Sequence, residues 1–361
     1  PEYRTILLEA GQFDAPSETL PAGGDLTDTA MISPDGRWVA TLVEDRTTPG
    51  RKLLVRIDRT TGTAELIPDF ESPVFPYGVN DEGAIVVVGS GLWFWSDTTG
   101  AIPFGEPAQP ARFPSHGGGE GFPRILNNVG QVVVRVNNAA QDHVLWDPVN
   151  DTRTLIGPNP GESLTAISLN NLGQVVGVVR FATGVWNEAD ARGFVWDATN
   201  GLRVLDDLEL ISPNTGPFST FGRIARANAI NDAGVIAGET VDEDLNLLGL
   251  IWSSESELPS LLPCQSPQMS QPPFYCAAWL LNESRDLVGG EEADEDIRSH
   301  VVWEGEEPFL LRDRILEGNT SCAIRALAND GTMAGICTGG PSLVLPLRAD
   351  DQPPVVHDVV A

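Results

Sequence analysis

The stretch AINDAGVIAG at residues 229–238, followed by LLGLIWSS at 247–254, decides the fold, because the chain repeats it. Its Asn-Asp-x-Gly core marks a tight turn. Glycine takes the positive φ such a turn needs, and the Asn or Asp side chain bonds back to the backbone. Related turns are SPDG ending at Gly36, NDEG at Gly83, NNVG at Gly130, NNLG at Gly173 and ANDG at Gly331, while NESR puts Arg285 in the glycine position. Counted with Gly234, successive turns lie 47, 47, 43, 61, 51 and 46 residues apart. Periods of about 40–50 residues with such turns are those of propeller blades.

The flanks repeat as well. An aliphatic residue stands four positions before each glycine position: Ile32, Val79, Leu126, Leu169, Ile230, Leu281 and Leu327. Second strands follow the turn (WVATLV, AIVVVG, QVVVRV, QVVGVV, VIAGET, DLVGGE, TMAGIC), then third strands such as LWFWSD, GLIWSS and HVVWEG, then shorter fourth strands. Gly177, Gly238, Gly289 and Gly335 share one register, where a side chain is expected to meet a neighbouring sheet. Five tryptophans, Trp95, Trp146, Trp196, Trp252 and Trp303, hold one third-strand position and read as inter-blade packing. The seventh repeat lacks a fourth strand, and YRTILLEAG at the chain start carries the missing pattern.

The fold predicted is therefore all-β: a seven-bladed β-propeller of four-stranded blades, its ring closed by the N-terminal strand joining the last blade. Closure removes the open edges of a linear array. Blades are expected at about 28–70, 77–107, 122–159, 164–209, 223–265, 276–314 and 322–348 plus 3–10, in one domain spanning 1–348, with a tail at 349–361. Units such as AINDAGVIAG…GLIWSS and AISLNNLGQVVG…RGFVWDATNGLRVLDDL resemble the bacterial extracellular HAF repeats, and ISPDGRWVATLVED is similar to the PD-type blades of TolB-like propellers. The resemblance covers nearly all of 28–348 and implies architecture, with no activity attached.

Charge bounds the partners. Fifty-one acidic residues against 22 basic ones give −29 over 361 residues, and Lys52 is the one lysine. Such a surface repels nucleic acid and anionic membranes; it suits a protein kept soluble in salt or meeting cationic partners. No run of ~18 apolar residues exists, so no membrane insertion is expected. The four cysteines read as two disulfides. Cys322 and Cys337 stand symmetrically about the ANDG turn, and Cys264 and Cys276 flank a Pro-rich loop. A Cys276–Cys322 pair between blades and free buried thiols are the alternatives. With the start at Pro1, the cysteines point to a secreted or cell-surface bacterial chain, expected as a monomer.

Candidate sites fall on the face opposite the tight turns, where the connections vary in length. Six residues before the glycine position come Ala30, Tyr77, Arg124, Ile167, Asn228, Trp279 and Arg325; Arg223 and Arg226 lie just upstream in blade five. Tyr77, Arg124, Arg223, Arg226, Asn228, Trp279 and Arg325 form a candidate ligand site, with Arg112 and the loop tryptophan Trp186 as further contacts. Guanidinium forks match carboxylate or sulfate and aromatic rings stack on sugars, so an acidic glycan is the ligand class expected, as against arginines that merely balance surrounding acids. His116 with Glu120 and Arg124 is the candidate catalytic trio, suited to proton abstraction beside a carboxylate in a polysaccharide lyase or a related hydrolase. Asp242, Asp244, Glu292 and Asp294 are candidate calcium ligands, although the spacing of an EF-hand loop is absent and a solvated acidic rim is the plainer reading. No GxSxG, HExxH, phosphate loop or CxxC pair occurs. The function expected is a binding propeller for an extracellular glycan, with an enzyme acting on acidic polysaccharide and a protein-interaction module as alternatives.

Overall fold

Short aliphatic runs that alternate or are continuously apolar, bounded by glycine turns, leave the chain little choice but strands. The computed structural model describes residues 2–8, 26–44, 48, 51–68, 70, 74–110, 124–138, 142–157, 162–181, 190–208, 223–242, 246–264, 275–292, 298–305, 307–318, 322–337 and 340–347. β1 (Glu2–Leu7) opens the chain. β2 (Leu26–Ile32), β3 (Trp38–Glu44), β4 (Lys52–Asp58) and β5 (Thr63–Leu66) form one antiparallel sheet in chain order. β6 (Phe75–Val79), β7 (Ile85–Val88), β8 (Leu92–Ser96) and β9 (Gly100–Pro103) form the next, and β10 (Ala108–Pro110), β11 (Val132–Val136), β12 (His143–Asp147) and β13 (Thr152–Ile156) a third.

Three further groups of four follow: β14 (Glu162–Leu169), β15 (Val175–Phe181), β16 (Asp190–Asp197) and β17 (Gly201–Val204); β18 (Arg223–Ile230), β19 (Ile236–Val241), β20 (Leu247–Trp252) and β21 (Ser260–Leu261); β22 (Tyr275–Leu281), β23 (Leu287–Glu292), β24 (Arg298–Glu304) and β25 (Glu307–Leu310). Two-residue parallel bridges, β16 to β18 and β20 to β22, join these groups into one twelve-stranded sheet. β26 (Ile315–Glu317), β27 (Cys322–Leu327), β28 (Met333–Cys337) and β29 (Gly340–Leu347) end the described chain. Here the N-terminal strand fills the outer place: β1 pairs antiparallel with β29 from Glu2↔Leu347 to Leu7↔Ser342. On its other edge β1 pairs parallel with β26, a strand the sequence reading did not expect.

One inner strand also departs from expectation. The third sheet draws Ala108–Pro110 from what reads as a connection, pairing it with Val134–Val136, while Leu126 makes only an isolated bridge to Val132. The inner edge of β11 is thus covered by two separate segments, because Ile125 and Leu126 reach only its first residues.

The repeated glycines have a different reason from the one expected. A Cβ on Gly177, Gly238, Gly289 or Gly335 would lie 2.1, 1.9, 1.8 or 2.1 Å from the carbonyl oxygen of Thr165, Arg226, Ala277 or Ala323, inside the same sheet rather than in a neighbour. A β-bulge in each first strand, at Ala166/Ser168, Ala227/Ala229, Ala278/Leu280 and Ile324/Ala326, turns that carbonyl toward the glycine. Trp146, Trp252 and Trp303 are fully buried; Trp252 and Trp303 donate their indole N–H to the carbonyls of Asp206 and Pro263, in the segments leaving the preceding group of four. Both disulfides of the first reading are present, Cys264–Cys276 and Cys322–Cys337, which disposes of a Cys276–Cys322 bridge and of free thiols.

Side chains join one turn to the next. Asn80, Asn127, Asn170, Asn231 and Asn282 are at most 3% exposed, and each donates Nδ2 to the carbonyl of the equivalent residue one turn on, ending at Ala328. Each Oδ1 accepts a backbone N–H of its own turn, from Ala84, Gln131, Gln174, Val235 or Asp286. A second belt runs beside the first. The backbone N–H groups of Asp35, Asp81, Asn128, Asn171, Asp232 and Glu283 donate to the side chains of Asp81, Asn128, Asn171, Asp232, Glu283 and Asn329, and the N–H of Asn329 donates to the carbonyl of Pro34.

Two stability measurements follow. Asn231→Ala strands the Val235 N–H and leaves the Asn282 carbonyl with the Arg285 N–H alone, and urea unfolding should show a loss of about 1–3 kcal/mol. Gly238→Ala should cost about 2–3 kcal/mol by overpacking, against about 1 kcal/mol for Gly234→Ala, where only the positive φ opposes a side chain. Equal losses at the two glycines would mean that the Arg226 carbonyl moves aside.

Candidate functional site

The residues singled out six positions before each glycine position are the bulged ones. Tyr77, Ile167, Asn228, Trp279 and Arg325 each sit in a register shift of the first strand, and Ala30 falls in the wider shift between Thr27 and Met31. A bulge leaves its extra residue unpaired and re-aims the side chain. Where these side chains go differs from turn to turn.

Arg124 reaches to the turn end, donating Nη2 to Asn171 Oδ1 at 2.7 Å and Nη1 to Glu283 Oε1 at 3.4 Å. Arg226 is 5% exposed and pairs with Glu239, Nη1 to Oε1 at 3.0 Å. Beside that pair Asn228 donates Nδ2 to the Ala278 carbonyl of the next group of four at 2.9 Å. Trp279 stands edge-on to His300, ring centroids 6.3 Å apart, and Arg325 lies close enough for its charge to act on the imidazole. Tyr77 is buried. So Arg124, Arg226 and Arg325 belong to three different groups of partners, and the first two are each matched to a carboxylate. Of Arg223, the first residue of β18, only the backbone pairing to Asp190 is described.

His116, Glu120, Arg112 and Trp186 lie outside the described residues, as do Asp244 and Asp294. Asp242 uses one carboxylate oxygen on the N–H of Asn246 and the other on its Nδ2, both at 2.9 Å, so it closes its own loop. Glu292 ends β23 opposite Tyr275 and Arg298. Among the described residues no group of three potential metal ligands converges.

A recess runs along the inner strands to the turn end, with about 660 Å³ of space counting that open to solvent. Residues from all seven repeats line it: Ile32, Val79, Leu126, Ser168, Ile230, Leu281 and Leu327 each stand for one. Its charged lining is Arg124 and Glu283, with Trp279 as its one aromatic ring. Burial raises the Glu283 carboxyl above its ordinary range, more than the Asp232 N–H and Arg124 lower it. Asp81, one turn before the Arg124 repeat, is raised for the same reason despite accepting from Asp35 and Asn128.

Two arrangements had no sequence signal beyond residue type. Arg56 in β4 lies between the rings of Trp38 and Trp95, 4.4 and 4.8 Å from their centroids, and donates to both oxygens of Asp97, to Glu65 and to the Gly83 carbonyl. This cation–π sandwich staples the first two sheets. His300 bridges β24 and the last sheet: Ile324 N–H donates to Nε2 at 3.1 Å, and Nδ1 is 3.3 Å from the Gly289 carbonyl. The pair of partners demands the neutral ring with its proton on Nδ1.

No protein-family model matches the sequence, and neither does any curated protein. Solved structures do match. An oligogalacturonate lyase from Vibrio parahaemolyticus aligns with TM-score 0.53 at 9% identity, over 95% of this chain and 96% of that one. A prolyl endopeptidase aligns at 0.51 and 13% identity over 80% of this chain and 42% of its own, and the β-propeller domain of Myceliophteria thermophila Cps50 (Swd1) at 0.50 and 11% over 96% and 100%. The chain is a β-propeller. Identities this low carry the fold and nothing of the neighbours' chemistry.

The His300 geometry sets a pH dependence. Burial, first, and the nearby Arg325 charge push its pKa down to about 4 from the ordinary 6.5. The unfolded chain therefore binds a proton that the folded one refuses, so this stability is complete above pH 6.5 and is lost as pH falls toward 4. The loss is at most about 3 kcal/mol. Urea midpoints at pH 7.5 and 4.5 should converge for His300→Gln relative to the parent chain; identical pH slopes would remove His300 from this role.

Proposed function

We propose that the chain is a seven-bladed propeller, closed as a ring by β1, that works as an exported binding module rather than an enzyme. The seven turns linked in one belt from Asp35 to Asn329 and back to Pro34 support the blade count, as does a recess lined from every repeat. Two disulfides fit an oxidising compartment. What carries the binding reading is the state of the charged groups. Arg124 and Arg226 have carboxylate partners and both His300 ring nitrogens have backbone partners, so these groups are committed to holding the fold.

The ligand enters this reading through the variable loops opposite the turns, and an extracellular glycan is its class. An acidic glycan draws on Arg223, Arg112 and Trp186, since the inner arginines are neutralised within the fold. Catalysis on an acidic polysaccharide would need His116 with Glu120, and calcium would need Asp244, Glu292 and Asp294 without Asp242.

An array of neutral and acidic glycans, read beside reducing-sugar release from acidic polysaccharides, tests the proposal. Binding without product is expected, weakened several-fold by Arg223→Ala. Product release that disappears in His116→Ala would replace the module with an enzyme. Silence on the array would overturn the glycan and leave a protein partner.

A further inference from the structure

Arg124 belongs to the third repeat, and the groups that hold its guanidinium belong to others. Nη2 donates to Asn171 in the turn of the fourth repeat, and Nη1 to Glu283 in the turn of the sixth. Its charge also acts on Asp81, in the turn of the second. A guanidinium within reach of the second, fourth and sixth turns at once lies between them, and in a ring that place is near the axis. The two belts join a repeat to the next one, whereas Arg124 and Glu283 are 159 residues apart, in repeats that a ring of seven sets on opposite sides. This placement holds for the closed ring proposed above.

The root of the side chain is fixed. The Arg124 carbonyl accepts the Leu169 N–H at 2.8 Å and the Ser168 hydroxyl at 3.3 Å, which pins this stretch of backbone to the fourth repeat. From there the stem runs along the recess beside Leu126, Ile230 and Leu281, and the buried Nε has no acceptor. An unmet buried donor is unfavourable, so the bonds of the terminal nitrogens must offset it. The equivalent residues of the other repeats are Ala30, Tyr77, Ile167, Asn228, Trp279 and Arg325, so the scaffold itself does not ask for an arginine here. The Arg124 and Glu283 side chains are 20% and 28% exposed: the stem lies inside and the ion pair meets solvent at the turn end.

We propose that Arg124 is the plug of the channel at the centre of the ring, its guanidinium held across the turn end by Glu283 and Asn171. The protein's own cation then occupies the place on the axis through which a solute would have to pass. A ligand of the binding module reaches the channel by the variable-loop face alone, and nothing crosses from one face of the ring to the other. Partly exposed ion pairs add little to stability, so removing this one opens the end without unfolding the chain.

Trp279 also lines the recess, so acrylamide quenching of its fluorescence reads the opening; its share is the difference between a chain and the same chain carrying Trp279→Phe. Arg124→Ala should raise the Trp279 quenching constant at least about twofold, and ethylguanidinium should reverse the rise where sodium chloride of the same ionic strength does not. Arg203→Ala removes a guanidinium of comparable exposure from β17 and should leave the constant unchanged. Thermal unfolding checks that each variant folds. Unchanged quenching in Arg124→Ala, an equal rise in Arg203→Ala, or reversal by both salts or by neither would overturn the plug. The ring is read separately. All four native cysteines are in disulfides, so Arg124→Cys combined with Glu283→Cys supplies the one pair of thiols, and a bismaleimide with a hexyl spacer should join them, as seen by intact mass. Absence of that product would remove the ring and the plug with it, whereas its presence with unchanged quenching would remove the plug alone.

Discussion

A tight turn pressed against its neighbours has backbone donors that it cannot satisfy by itself, and this shortage governs the molecule. Five of the turns close their own hydrogen bonds through an asparagine Oδ1 and lend its Nδ2 to a neighbour's carbonyl. The second belt repeats the arrangement with a backbone N–H given to the next side chain. Neighbouring repeats complete one another, because these turns have partners in the next one as well as their own. Buried amides make that dependence costly to break, since an unmet donor or acceptor away from water loses its full hydration. The turns therefore act as a connected series, separate from the apolar packing of tryptophans and aliphatics between the sheets.

A second constraint comes from the bulges. In four repeats an extra residue in the first strand swings one carbonyl toward the second strand and excludes a Cβ there, which is why glycine recurs beside it. The same extra residue is released from the ladder, and its side chain becomes available for work the sheet does not need. In this chain that work is mostly internal: Asn228 ties to Ala278 and Trp279 packs on His300. That position is thus spent on adhesion between repeats and on shaping the recess.

Much of this was legible in the sequence because it rests on local rules. Turn glycines, the repeated tryptophan and the missing outer strand are written in contiguous motifs, and two cysteine pairs could be read from symmetry about a turn or from flanking one loop. Other features depend on distant partners. Arg124 and Glu283 are 159 positions apart, and nothing in either neighbourhood marks the pairing. Five arginine-bearing positions looked like one anion site because sequence shows cations without their counter-ions; Glu239 lies 13 residues from Arg226 and opposite it in the sheet. The glycine register was read correctly as crowded and wrongly as to the crowding atom, since a bulge is invisible until the strands are paired. β26 was missed because three residues of ILE carry no period to detect.

The placement of β1 between β29 and β26 has a mechanical side. Its six pairings with β29 lie along the strand, so a pull on Glu2 in the strand direction loads them together instead of opening them one by one. The parallel contact with β26 adds resistance on the opposite edge. Peeling would need force across the strand, and there the buried Tyr3 ring, packed against Phe309, stands in the way. β1 is consequently a sound point of attachment: tension applied along it is carried into the last sheet as shear.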